Sequence, residues 1–165
     1  MIFVTVGTHE QQFNRLLKCM EKIKNNFLHS EEIIIQMGYS DFTPSNCKNF
    51  KMLSYIEMEK YVKEARIVIT HGGPASFMLP LREGKIPIVV PRRKEFDEHV
   101  NNHQVDFCNR VKEVNNNIIV VNDIEELKDS ILGYEEIIKK MKIKEKRKDN
   151  NFCYLLEELV NDLKI

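Results

Sequence analysis

Two rhythms of apolar positions run through the chain. Ile2-Phe3-Val4-Thr5-Val6 is a β-branched run that ends at Gly7, the signature of a buried strand. Phe13, Leu16, Leu17, Met20, Ile23, Lys24 and Phe27 then recur at helical spacing, one stripe able to cover that strand. Ile33-Ile34-Ile35 predicts a second strand ending near Gly38, before a polar loop with Pro44. Phe50 to Ile56 predicts a third, weaker strand, and Glu57 to Glu64 a short helix with Met58, Tyr61 and Val62 inward. Ile67-Val68-Ile69-Thr70 is a fourth strand. A helix from Pro74 to about Glu83 follows, since Pro suits a first turn whose N–H has no partner. Ile86 to Val90 is a fifth strand closed by Pro91, a helix runs from about Glu98 to Arg110, and Ile118 to Val121 is a sixth strand. Asp123 caps the next helix, with Glu125 and Glu126 in its first turn, where the dipole favours negative charge.

Strands alternating with helices predict an α/β fold: a Rossmann-like parallel sheet with helices on both faces. In such a sheet ligands bind beyond the carboxyl ends of the strands, where the strand order reverses. That singles out the loops Gly7 to Phe13, Gln36 to Ser40, Ser54 to Met58, His71 to Ser76 and Pro91 to Gln104. The 165 residues suit one domain, ending in a helical segment over about 134–165. With 25 basic and 25 acidic residues the formal net charge is zero, which argues against a nucleic-acid partner. Met1 to Gly7 is too short and too uncharged for a signal peptide, and no run approaches the ~18 apolar residues of a membrane span. A cytoplasmic protein is expected. Cys19, Cys47, Cys108 and Cys153 form no C-x-x-C pair and have no zinc-spaced His, so reduced thiols and no metal site are expected.

Four stretches carry candidate chemistry. In Val6-Gly7-Thr8-His9-Glu10 the glycine permits a sharp turn and close approach of a ligand, and Thr8 is placed to cap the helix that follows. An ordinary strand-to-helix turn would read the same, and no G-x-G-x-x-G is present. Thr70-His71-Gly72-Gly73-Pro74-Ala75-Ser76 puts two glycines between a strand and a helix, a nest able to take a diphosphate on the N–H groups of Gly73, Ala75 and Ser76. In Glu98-His99-Val100-Asn101-Asn102-His103-Gln104, His99 and His103 would share a helical face. No third metal ligand is evident there, and Glu98 precedes His99 where a zincin needs it to follow. Lys139 to Lys148 holds seven basic residues against Glu145, either a solvated helix face or a surface attracted to anionic lipid. Phe152, Tyr154, Leu155, Leu156, Leu159, Val160 and Leu163 after it exceed one narrow stripe, so that helix packs on the domain or on a partner.

The motifs Val4 to His9, Ile69 to Phe77, Pro87 to Arg92 and Glu98 to Gln104, in this order, resemble the glycosyltransferase family 28 C-terminal domain. The likeness covers about Met1 to Val121 and is strongest to free-standing bacterial catalytic subunits of capsule and exopolysaccharide β-1,4-galactosyltransferases. These are similar in turn to the small catalytic subunit of the dolichol-linked N-acetylglucosaminyltransferase pair. The resemblance implies the donor-binding half of a GT-B glycosyltransferase, with a membrane-associated partner subunit supplying the acceptor half and holding this chain at the inner face of the cell membrane. It implies a UDP-sugar donor, a lipid-linked saccharide acceptor and no other cofactor. The uracil would lie near Tyr55 and Ile56, the diphosphate at Gly72, Gly73, Pro74, Ala75 and Ser76, and the sugar against Glu98, His99, His103 and Gln104. Gly7, Thr8 and His9 would floor the cleft facing the acceptor, and Gln36 and Gly38 match a Gln-x-Gly loop beside the donor. The family's lipid II-forming members hold the ribose with a glutamate on the helix after the nest. The matching stretch here is Phe77-Met78-Leu79, and Glu98 could take that role.

The chemistry implied is inverting transfer of a hexose, galactose or N-acetylglucosamine, with UDP as leaving group. No D-x-D motif is present, so helix N-terminal amides would stabilise the β-phosphate, with His71 as a further donor if protonated. A base must take the acceptor proton. It would come from the partner or be His9, because imidazole titrates near neutrality. A non-catalytic UDP-sugar-binding module or regulatory subunit would show the same loops.

Overall fold

The computed structural model describes the backbone of residues 1–145 and side chains as far as 141. Lys146 to Lys148, Cys153 and the apolar positions from Phe152 to Leu163 lie outside the described residues. Six strands, β1 (Ile2–Thr5), β2 (Ile33–Gln36), β3 (Lys48–Phe50), β4 (Ile67–His71), β5 (Ile88–Val90) and β6 (Ile119–Val120), form one sheet in the order β3-β2-β1-β4-β5-β6. All pairings are parallel, with Ile2 opposite both Ile33 and Ile67. Side chains alternate across a strand, so each strand serves two cores. Ile2, Val4, Ile33, Ile35, Ile67, Ile69, Ile88 and Val90 pack against Leu16, Leu17, Met20 and Ile23 of α1 (Asn14–Asn26). Leu127 and Ile131 of α5 (Leu127–Leu132), and Tyr134 and Met141 of α6 (Tyr134–Glu145), join the same core. On the opposite face Phe3, Ile34 and Val68 meet Val62 of α2 (Tyr55–Glu64) and Leu79 of α3 (Pro74–Arg82). Phe77 of α3, with Val89 and Val120, meets Phe107, Cys108 and Val111 of α4 (His103–Asn115). The expected Rossmann-like sheet with helices on both faces is the observed fold.

Lys24, read from the spacing as part of the buried stripe of α1, is indeed buried. Its ammonium satisfies the carbonyls beyond the helix end, donating to Leu28 O, His29 O and Glu31 O at 3.1, 2.8 and 2.7 Å. The boundaries near the third strand and the fourth helix differ most from expectation. The third strand is Lys48–Phe50, not Phe50 to Ile56. Ser54 instead caps α2: its hydroxyl accepts from Glu57 N while Glu57 reaches back to the Ser54 N–H, a capping box that turns Tyr55 and Ile56 into helix. The fourth helix begins at His103, not Glu98. Asp97 stands in the left-handed region at φ 54°, and the Glu98 carboxylate accepts from Arg93 N at 3.0 Å, so the chain bends through 98–102. His99 and His103 therefore share no helical face.

Candidate functional site

The chain leaves β1 for α1 on one face and leaves β4 for α3 on the other, so the strand order reverses between β1 and β4. His71 ends β4 at that crevice, and glycines close around it. Gly7 has φ +78°, and a Cβ there would stand 2.3 Å from His71 Cε1. A Cβ on Gly73 would stand 2.5 Å from His71 Nε2. Gly38, at φ +57°, presses on the Gly7 carbonyl, where a Cβ would stand 2.5 Å away. Below them Gly7 N donates to Thr5 Oγ1 at 3.2 Å, and the Thr5 hydroxyl donates to Gln36 Oε1. Gln36 is thus buried under the loop it was expected to line, its amide aimed at Met52 Sδ. The His71 ring is buried, its Nδ1 has no hydrogen-bond partner, and Ser76 Oγ lies 3.4 Å from its Nε2. Burial, with the positive charges of Arg92 and the imidazoles His9 and His99 nearby, pulls its pKa down to about 3. The neutral imidazole is therefore the favoured form at physiological pH, which disfavours the protonated donor that the sequence reading made conditional.

The turn expected to hold a diphosphate opens α3. Gly73 is the N-cap of α3 without a side-chain cap, and Pro74 occupies the first turn. Gly72 N is taken by Gln104 Oε1 at 3.1 Å, and Ser76 N by Gly73 O at 3.0 Å. The donors the helix end can offer an anion are the amides of Gly73 and Ala75. Pro74 and Ala75 are exposed at this edge. In the loop after β1 two of the amides at the helix start are already taken. α1 starts only at Asn14, and the amides of Phe13 and Asn14 are held by Ser40 Oγ at 3.0 Å and Gln12 Oε1 at 2.7 Å. Thr8 is exposed and caps nothing.

His9 and His99 come together: their ring centroids are 4.8 Å apart with 30° between the planes. His9 Nε2 lies 2.9 Å from Gln11 Oε1, and His99 Nδ1 accepts from Asn101 N at 3.4 Å. Burial first, then His9, holds the His99 imidazole below its ordinary pKa. Glu98 points the other way. It is fully buried, and its carboxylate accepts Arg15 Nε and Nη2, both at 2.9 Å, besides Arg93 N. Committed in this way, it has no free oxygen face for a sugar or ribose, which corrects the expectation of a ligand-binding or catalytic carboxylate. Gln104 is half-buried, and its Oε1 accepts from both Gly72 N and Arg92 N, each at 3.1 Å, joining the ends of β4 and β5. His103 is exposed at the start of α4, where its N–H donates to Asn101 Oδ1 at 3.2 Å. Tyr55 and Ile56 are exposed at the start of α2, with Tyr55 OH 3.5 Å from Arg82 Nη1.

Sequence reasoning missed the residue at the centre of these contacts. Arg92 is fully buried. Its Nη1 donates to Gln11 O, Gln12 O and Glu98 O at 2.8, 3.1 and 3.0 Å, and its Nη2 to Val6 O at 2.8 Å. The guanidinium lies 4.9 Å from the Phe13 ring centroid, a cation–π contact. Burial lowers its pKa to about 10, so it stays charged at neutral pH. Nothing local in Val90-Pro91-Arg92-Arg93 distinguishes this arginine from its exposed-looking neighbour. Its partners lie up to 86 residues away. Among the described residues no three His, Cys, Asp or Glu side chains converge as metal ligands.

Solved structures share this fold. The glycosyltransferase SnogD from Streptomyces nogalater superposes with a TM-score of 0.51 at 15% identity, over 96% of this chain and 43% of that one. The glycotransferase of kitacinnamycin superposes with a TM-score of 0.54 at 16% identity, over 99% of this chain and 38% of that one. This chain thus spans less than half the length of either. No curated protein matches it. The family model for the glycosyltransferase family 28 C-terminal domain matches residues 1–160, and the chain belongs to that family.

Proposed function

We propose that this chain is the catalytic, donor-binding subunit of a split inverting glycosyltransferase. It moves a hexose, galactose or N-acetylglucosamine, from a UDP-sugar to a lipid-linked saccharide in capsule or exopolysaccharide synthesis. A membrane-associated partner subunit carries the acceptor half of the GT-B cleft. The observation that supports this most is the crevice between β1 and β4: Gly7 and Gly73 leave the backbone bare on both sides of a neutral His71, and the uncapped start of α3 faces outward there. The diphosphate rests on the Gly73 and Ala75 amides, where the α3 dipole stabilises the charge that builds on the β-phosphate. The acceptor hydroxyl oxygen attacks the anomeric carbon from the opposite side. The carbon–oxygen bond to the β-phosphate breaks, UDP leaves, and the hydroxyl proton passes to His9. Because His71 carries no charge, it shapes the site and does not neutralise the leaving group.

Calorimetric titration of the purified chain with UDP, UDP-galactose and UDP-N-acetylglucosamine tests the reading. Binding in the micromolar to millimolar range is expected, about −8 to −4 kcal/mol, and lost in Gly73→Val. Absence of uridine-nucleotide binding both by the chain alone and with its co-expressed partner would overturn it.

A further inference from the structure

The segment that carries His9 and the segment that carries His99 lie far apart in the chain, yet they close on one guanidinium. Arg92 holds Val6 O on one side of His9 and Gln11 O and Gln12 O on the other, so residues 7–10 are slung between two points pinned on the same group. It also holds Glu98 O, the carbonyl next to His99. The two segments touch directly through Gln12 Nε2, which donates to Phe96 O at 3.0 Å. Arg15 and the Arg93 amide fix the Glu98 carboxylate from outside. Four carbonyls need a planar fork with several donors, which a guanidinium has and an ammonium lacks.

We propose that Arg92 is a positioning residue of the transfer site: by gathering the carbonyls of Val6, Gln11, Gln12 and Glu98 it sets the His9 and His99 rings face to face before substrate arrives. That the place is a transfer site rests on the function proposed above; that Arg92 sets the pair rests on the contacts alone. Arg92 touches no reacting atom. Its contribution is the placement of the proton-accepting imidazole, and misplacement by about 1 Å can cost on the order of 10²-fold in rate.

The test reads placement and turnover separately. Nuclear magnetic resonance of the full chain follows the ring-to-ring contact between His9 and His99 in the wild type, in Arg92→Met and in Arg92→Lys. The contact is expected in the wild type, absent in Arg92→Met and weakened in Arg92→Lys. With the co-expressed partner, kcat falls about 10²-fold in Arg92→Met and less in Arg92→Lys, while the UDP Kd stays within about threefold of wild type. Undiminished ring contact in the variants, or a UDP Kd that weakens as much as kcat falls, would overturn the proposal. Hydrogen exchange on the unmodified chain decides the matter even where a variant does not fold. One anchor predicts that 6–12 and 98–102 open together with a single free energy, and separate openings refute it. If no uridine nucleotide binds, the transfer reading fails, while ring contact and exchange still judge the role of Arg92.

Discussion

Acid should weaken this fold through His71. In the unfolded chain the imidazole has an ordinary pKa of 6.5, and in the folded protein burial and its cationic neighbours hold it near 3. Between those values the unfolded state binds a proton that the folded state refuses, so stability is full above about pH 6.5 and falls as pH drops towards 3. Each pH unit is worth about 1.4 kcal/mol. Moving from pH 7 to pH 5 crosses about 1.5 units of the window and should remove about 2 kcal/mol. Against a typical stability of 5–15 kcal/mol that is a visible loss. Urea unfolding at pH 7 and pH 5 measures it, with His71→Asn as the non-titrating reference. The depressed His99 pulls in the same direction but is present in both chains, so the difference between slopes isolates His71. The Glu31 carboxylate, held down to about 2 chiefly by its bonds from Arg66, acts only below about pH 4.5. Equal slopes for the two chains between pH 7 and 5 would refute the account of a caged neutral imidazole.

Other outcomes follow from the same contacts. Gly7→Ala forces a left-handed backbone on alanine and drives a methyl into His71, and should cost about 3 kcal/mol by urea unfolding; Gly84→Ala, at φ +70° with nothing within 4 Å, should cost only the backbone strain of about 1–2 kcal/mol. Glu98→Gln breaks the pair with Arg15, whose side chains are 0% and 13% exposed, and should destabilise by about 3 kcal/mol without weakening UDP binding through a lost ligand contact. His9→Ala should abolish transfer measured with the partner present and leave the UDP titration unchanged; normal transfer would remove His9 from the chemistry. Below pH 4.5 the wild type should lose further stability as Glu31 protonates, and Glu31→Gln should flatten that limb of the unfolding curve.

Most of the architecture could be read from the chain because local signals and tertiary packing agree there. β1, β2 and β4 are β-branched runs buried on both faces, and the stripe of α1 meets them at the spacing the sequence shows. The expected third strand gives way to Ser54 and Glu57, three residues apart, whose capping box starts a helix there. The stretch 98–102 misled for a different reason. Its residues tolerate helix, and the bend from the left-handed Asp97 goes with a Glu98 carboxylate bonded to Arg93 N and to Arg15, 83 residues away. The site divides along the same line. Glycines and the start of α3 are set by local sequence, and so the crevice is legible in the chain. Whether Glu98, Gln36 and Gln104 face a ligand or the interior depends on distant partners: Glu98 and Gln36 are buried, and the Gln104 carbonyl oxygen is taken by two backbone amides.

The packing of His71 also bears on how such a sequence can change over generations. Position 7 is doubly tied to glycine, by its positive φ and by the ring against it. Position 73 is tied only by the ring, since its φ of −74° suits any residue. A chain with alanine at 73 is therefore viable once a smaller side chain stands at 71, and the two sites should be inherited as a pair. In a collection of divergent descendants, histidine at 71 should travel with glycine at 73, and its loss should release 73 while leaving 7 unchanged.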